Sequence, residues 1–230
     1  MHRARVVFCA LVIVLGGILA GCGADDPPAT PVRTLEPQQT ASSPSPNVTD
    51  PDSAVCSLLT SKERASIAGA KIDFVVPVVQ RAKQCRWVQA ASSPIPAIEL
   101  TASPAREWAS QLPSLIENMV KAGRVDAKFS KRLQAAKRKV LRGADKMSKR
   151  EVCDLFSLVV EANGGKKDSK TLVYFLPSVT GDITASVQTC SKGVNTIVTY
   201  SETGLRPSEP LGQAMLRLAA LAHQRAIKIF

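Results

Sequence analysis

Imidazole is almost missing from this chain: of its 230 residues only His2 and His223 are histidines. Aromatics are scarce as well, with two Trp, two Tyr and six Phe. There is no Cys-x-x-Cys, no Gly-rich phosphate loop and no alternation of strand and helix of the βαβ kind. The longest apolar run near the start, Val6 to Leu19, has 14 residues, short of the roughly 20 that a finished spanning helix needs. Each absence removes a class of chemistry. A hydroxyl nucleophile needs a base beside it. Zinc sites of the usual kind need His and Cys at close spacing. The sequence therefore implies no metal and no cofactor.

What is present begins at the first residue. His2, Arg3 and Arg5 make a short basic start, the apolar run follows, and Leu19-Ala20-Gly21 leads into Cys22. This is the pattern of a secretory leader with a lipoprotein-type cleavage site, covering residues 1–21. The expected chemistry is lipid transfer to the Cys22 thiol and cleavage before it. The expected location is the outer face of a bacterial cell membrane, held by that lipid anchor. Residues 22–53 follow as a tether. Pro27 to Ser53 holds seven prolines and no aromatic residue, so it cannot bury enough apolar surface to order itself. Residues 54–230 remain as one domain, long enough for a real core.

Removing the leader and lipidating Cys22 leave Cys56, Cys85, Cys153 and Cys190 in the domain. Four cysteines in an exported domain imply two disulfides with three possible connectivities. Grouping one pair per half favours Cys56–Cys85 and Cys153–Cys190. Charge is local. Without Arg3 and Arg5 the 30 basic residues fall to 28, against 19 acidic. Lys121 to Arg150 alone carries 12 basic and two acidic residues.

Local signals place the elements. Thr60-Ser61-Lys62-Glu63 is a capping box and Gly69 a stop, which predicts a helix over 61–68. Ile72 to Val79 carries Pro77 and reads as an edge strand. Cys85 to Gln89 and Ala97 to Ala102 read as a hairpin that turns at Ser92-Ser93-Pro94. Ser103-Pro104 opens a helix, with Ser103 as cap, that Pro113 kinks or splits. Lys128 to Leu141 is a basic helix with Phe129, Leu133, Ala136 and Val140 on one face. Ser148 to Glu151 is a second capping box, opening a helix stopped at Asn163-Gly164. Thr171 to Leu176, Ile183 to Thr189 and Asn195 to Tyr200 are strands, and a buried helix runs from Ser208 through Ile227. This order implies an α+β domain: an antiparallel sheet with helices packed on one face and two disulfides. Cys56-Ser57-Leu58-Leu59 and Cys153-Asp154-Leu155-Phe156 open the two halves alike, so two half-repeats are conceivable.

The lipobox, the tether, Val55-Cys56-Ser57-Leu58-Leu59-Thr60 and Gln84-Cys85-Arg86-Trp87 together resemble a family. It is the actinobacterial secreted lipoproteins, many of them mycobacterial, that carry a domain of unknown function opening Cys-Ser-Leu-Leu-Thr and containing Cys-x-Trp. The resemblance runs from Cys56 to Ile227, with specific motifs only from Cys56 to Trp87. It implies an envelope location, an α+β domain and a pairing of Cys56 with Cys85, and it implies no activity. The basic stretch and the Cys153/Cys190 pair lie outside its pattern. A more distant likeness, at the level of fold alone, is to the two-disulfide extracellular sensor domains of actinobacterial receptor kinases.

Candidate chemistry is thin. His223 sits in a Leu- and Ala-rich helix and reads as a half-buried structural residue. Asp73, Glu99, Glu107, Glu117, Asp154 and Glu161 show no converging spacing. Trp87 and Trp108 could line a groove, but core packing explains them, with Trp87 against a disulfide. The basic segment stands out, and Lys131, Arg132, Lys137, Arg138, Lys139 and Arg142 are its candidate contacts. Export removes nucleic acid as a partner and leaves anionic lipid, envelope polymer or another envelope protein. The expectation is a non-catalytic binding or accessory module. A lipid or small-ligand carrier with an apolar pocket comes second, and an enzyme last.

Overall fold

The computed structural model describes residues 54–76, 83–123, 125–177 and 182–230. The expected leader, Cys22, the expected tether and Pro77 therefore lie outside the described residues.

Both capping boxes form. The Thr60 hydroxyl accepts from the Glu63 amide and the Glu63 carboxylate accepts from the Thr60 amide, opening α1 (Ser61–Ala68). Gly69, at φ 66°, supplies the left-handed stop that glycine adopts without a side-chain clash. Ser148 and Glu151 repeat the arrangement at α5 (Lys149–Ala162). Pro113 divides the predicted helix in two. It has no N–H to give and its ring would strike the carbonyl of Ala109. So α2 ends where that carbonyl is (Ala105–Ala109), and α3 (Leu112–Lys121) restarts with Pro113 in its first turn. α4 (Ala127–Leu141) opens at Asp126, whose carboxylate accepts from the Phe129 amide at 2.7 Å.

Six strands form one antiparallel sheet: β1 (Phe74–Val76), β2 (Gln84–Ala90), β3 (Ser93–Pro104), β4 (Thr171–Pro177), β5 (Ile183–Ser191) and β6 (Val194–Ser201). Their order is β1-β2-β3-β6-β5-β4, so each half of the chain contributes three neighbouring strands and β3 pairs with β6 between them. The expected turn at Ser92-Ser93-Pro94 is displaced. Ser93 already pairs with Ala90, and the reversal falls at Ala91-Ser92. Pro94 and Pro96 then sit inside β3, where they lack a ladder donor, and the β2–β3 register shifts beside them. The expected cap at Ser103 is also corrected. Ser103 and Pro104 pair with Asn195 and Val194, so β6 claims this backbone. The helix begins one residue later, with the Ala105 amide donating to Gly193 at 2.8 Å.

Strand parity assigns the faces. Cys85, Trp87, Ile98, Leu100, Val187, Val198 and Tyr200 are buried on one face beneath α1 and α6 (Glu209–Ala226). Arg225 of α6 donates to both Glu63 oxygens at 2.7 Å and to the Leu58 carbonyl at 2.8 Å, tying α6 to α1. α6 is buried along one side only, through Met215, Leu218, Ala219, Ala222 and Ala226. Leu221 stays 39% exposed, so the helix is less enclosed than its apolar content suggests. The other face carries Gln84, Arg86, Glu99, Ser186, Gln188, Asn195 and Thr199. These bond among themselves: Gln84 donates to Glu99, Gln188 to Asn195, and the Ser186 and Thr199 hydroxyls meet at 3.2 Å.

The expected disulfides both form, Cys56–Cys85 and Cys153–Cys190. They belong to different cores. Cys56 and Cys85 lie in the cluster under α1 and α6. Cys153 and Cys190 lie in a second cluster built by α2, α3, α4 and α5, with Ala109, Ile116, Leu133, Val152 and Phe156 at its centre. Cys85 pairs with Leu100 on one face and Cys190 with Asn195 on the other. The two halves match in strand order, but their disulfides point to opposite sides of the sheet, which a simple duplication would not produce.

The Cys153–Cys190 bridge closes a loop with a sequence separation of 37. Chain-entropy arguments give such a loop about 3–4 kcal/mol of stabilisation. Replacing both cysteines by Ala is expected to lower the denaturation midpoint accordingly, read by guanidinium unfolding followed by circular dichroism.

Candidate functional site

The basic segment folds mainly as α4. Leu133, Ala136 and Val140 are buried in the second cluster and Phe129 packs partly against it, as the periodicity predicts. At about 100° per residue, Lys131, Arg138 and Arg142 fall on nearly one line along the helix, opposite that apolar face. Lys128 stands one turn earlier beside the same line. All four are exposed.

The six candidate cations divide into two groups. Arg132 donates to Glu161 at 2.9 Å and stacks 4.7 Å over the Phe129 ring. Lys137 donates to Glu117 of α3, and Lys139 to Glu151 of α5 at 2.7 Å. Hydrogen bonding to Lys139, then to Ser148, holds the Glu151 carboxyl down at about 2. The Lys137 ammonium lowers Glu117 in the same way. These three cations are locally neutralised, and they flank the apolar face where neighbouring helices come close. Lys131, Arg138 and Arg142 form no ion pair among the described residues and are exposed. The sequence reading missed Lys128, although its spacing from Lys131 already places it beside that line. Leu141, 65% exposed, ends the helix to one side of that line.

The remaining candidates are dispersed. Asp73 pairs with Arg64 and Lys71, Glu99 with Arg86, Asp154 with Lys170 and Arg150, each on a different part of the fold. Glu107 lies exposed in the first turn of α2. Trp87 is 2% exposed beneath the Arg64 guanidinium, in the cluster that contains Cys56 and Cys85. Trp108 meets Phe156 edge-on, with ring centres 5.3 Å apart. Among the described residues no group of three or more His, Cys, Asp or Glu could hold a metal ion. None of their helices is long and apolar enough to cross a membrane.

His223 is buried rather than half-buried, at 7% exposure. Its Nε2 lies 2.7 Å from the Ser191 hydroxyl and its Nδ1 2.9 Å from the Thr196 hydroxyl. Neither partner carries a charge that would stabilise an imidazolium, unlike the carboxylate of a catalytic triad. The ring joins α6 to β5 and β6.

Burial pushes the His223 pKa below its ordinary 6.5. An unfolded chain therefore takes up this proton first as the solution is acidified. The contribution is fully present above about pH 6.5 and is lost as pH falls through the folded value. The thermal stability of the wild type is expected to fall as the pH drops below about 6.5, and His223→Gln is expected to flatten that fall. Glu63, held at about 2 mainly by hydrogen bonding from Arg225, adds its own loss only below its ordinary 4.5.

No protein family, curated protein or solved structure matches this chain, so a functional reading rests on the arrangement of its own residues.

Proposed function

We propose that this protein is an envelope lipoprotein, anchored through lipidated Cys22, whose domain docks against anionic surfaces along the outer line of α4. Lys128, Lys131, Arg138 and Arg142 are the contacts. The supporting observation is the division of the α4 cations: those facing neighbouring helices are paired, and those on the outer line are not. Unpaired like charges along one line repel one another unless something opposes them. A basic side chain beside an anionic membrane contributes about 1 kcal/mol. Four together give about 4 kcal/mol, or roughly a thousandfold in affinity at low salt. Docking in this reading is non-catalytic and adds to the lipid anchor, since two weak signals hold a surface better than one.

The test is flotation with lipid vesicles of the chain from residue 22 to 230, carrying Cys22→Ser so that no lipid is attached. Binding to phosphatidylglycerol vesicles is expected to fall steeply with salt, and neutral vesicles are expected to bind nothing. K128Q/K131Q/R138Q/R142Q should lose about a hundredfold or more. R132Q/K137Q/K139Q should keep most of the binding, because exposed pairs contribute little to stability and these cations are already engaged. Equal losses in the two variants, or no anionic binding at low salt, would contradict the reading.

A further inference from the structure

The two edges of the sheet are unlike. β1 is three residues long and Pro77 follows it in sequence, so one edge is short and blunted. β4 closes the other edge with seven residues, and no described strand lies outside it. It pairs with β5 along its whole length with no shift in register. Its sequence, Thr171-Leu172-Val173-Tyr174-Phe175-Leu176-Pro177, contains no charged residue. Positions 171–176 are all partly exposed. Edge strands in soluble proteins are usually protected by lysine, a bulge or shortness, because their outer N–H and C=O groups invite another strand. β4 has none of these protections from Thr171 to Leu176, and its one proline, Pro177, is its last residue.

We infer that β4 pairs with β4 of a second copy of this chain, antiparallel and centred on Tyr174, so that two six-stranded sheets become one. The strand is complementary to itself in that register. Leu172 falls opposite Leu176 of the other copy, Val173 opposite Phe175, and Tyr174 opposite Tyr174. These central pairs are all apolar or aromatic, the kind that stabilises antiparallel neighbours, and Thr171 falls opposite Pro177 at either end. Val173 and Phe175 already pack partly on the first cluster and Leu172 on the second, so a continued sheet would cover apolar surface on both faces.

Charge favours the antiparallel arrangement. Lys166, Lys167 and Lys170 precede β4 with Asp168 among them, Lys170 being paired with Asp154, and the five residues after Leu176 are uncharged. An antiparallel pair carries its lysines to opposite ends, and a parallel pair would set them side by side. The Pro27 to Ser53 tether of the same chain is a poor alternative occupant, because its seven prolines offer no N–H to a ladder. A twofold contact of this kind also closes on itself and leaves no free β4 edge to extend into a fibre.

The test uses the chain from residue 22 to 230 with Cys22→Ser and the tether retained. Sedimentation equilibrium across a micromolar concentration series is expected to show a monomer–dimer equilibrium. Leu176→Lys, which places the usual edge charge in the strand, should shift it to monomer. Directly opposed residues lie about 4.5–5.5 Å apart at Cα, which a disulfide can span. Leu172→Cys and Leu176→Cys proteins should therefore cross-link when mixed under mild oxidation, and neither should cross-link alone. This second measurement does not depend on how well the lysine variant folds. A wild type that is monomeric throughout the series, or cross-linking that is the same with and without mixing, would overturn the inference.

Discussion

The pairing of β3 with β6 governs the arrangement of the rest. Eight residue pairs, from Ala97–Ser201 to Pro104–Val194, join the strands of the two halves into one sheet. Their register fixes which side of the sheet every neighbouring side chain takes, because parity is preserved from strand to strand. Cys85 and Cys190 consequently fall on opposite faces. Cys56–Cys85 draws the start of the domain under α1 and α6, and Cys153–Cys190 draws α5 to the other side. Two cores follow, one against the sheet and one made chiefly by helices packing on one another. A shift of a single residue at β3–β6 would set Cys85 and Cys190 on the same face of the sheet.

The position of α4 is a consequence. It belongs to the second core and reaches it through Leu133, Ala136 and Val140. Its contacts are with α3, α5 and the short turn at Ala144–Lys146. A helix held from one side keeps its opposite side in water. The chain uses part of its basicity at the seam, where Glu117, Glu151 and Glu161 receive Lys137, Lys139 and Arg132. The cations on the outer line are not required for this packing, and the proposed docking rests on that separation.

Much of the fold was legible because its signals are local. The Thr60/Glu63 and Ser148/Glu151 boxes, Gly69 and the break at Pro113 each act within one turn of chain, so residue type and spacing suffice. The apolar line of α4 follows from helical period. The disulfide pairing was narrowed by position, one pair to each half. The misplacements have a common cause. Ser103-Pro104 is a good helix opening in isolation, but Asn195 and Val194, about ninety residues away in sequence, hold it in the ladder. The hairpin turn moved for the same reason, since Ser93 pairs with Ala90. The division of the basic residues was invisible because their partners lie 12, 20 and 29 residues away on other helices.

Lysine footprinting tests the central claim most directly, because it reports which side of the protein meets an anionic surface without altering any residue. Acylation rates at each lysine are compared with and without phosphatidylglycerol vesicles and read by mass spectrometry. The account predicts that vesicles slow modification of Lys128 and Lys131 and leave Lys62, Lys192 and Lys228, which are exposed on other elements, unchanged. Uniform slowing at all five, or protection that falls on Lys62, Lys192 or Lys228 and spares α4, would contradict it.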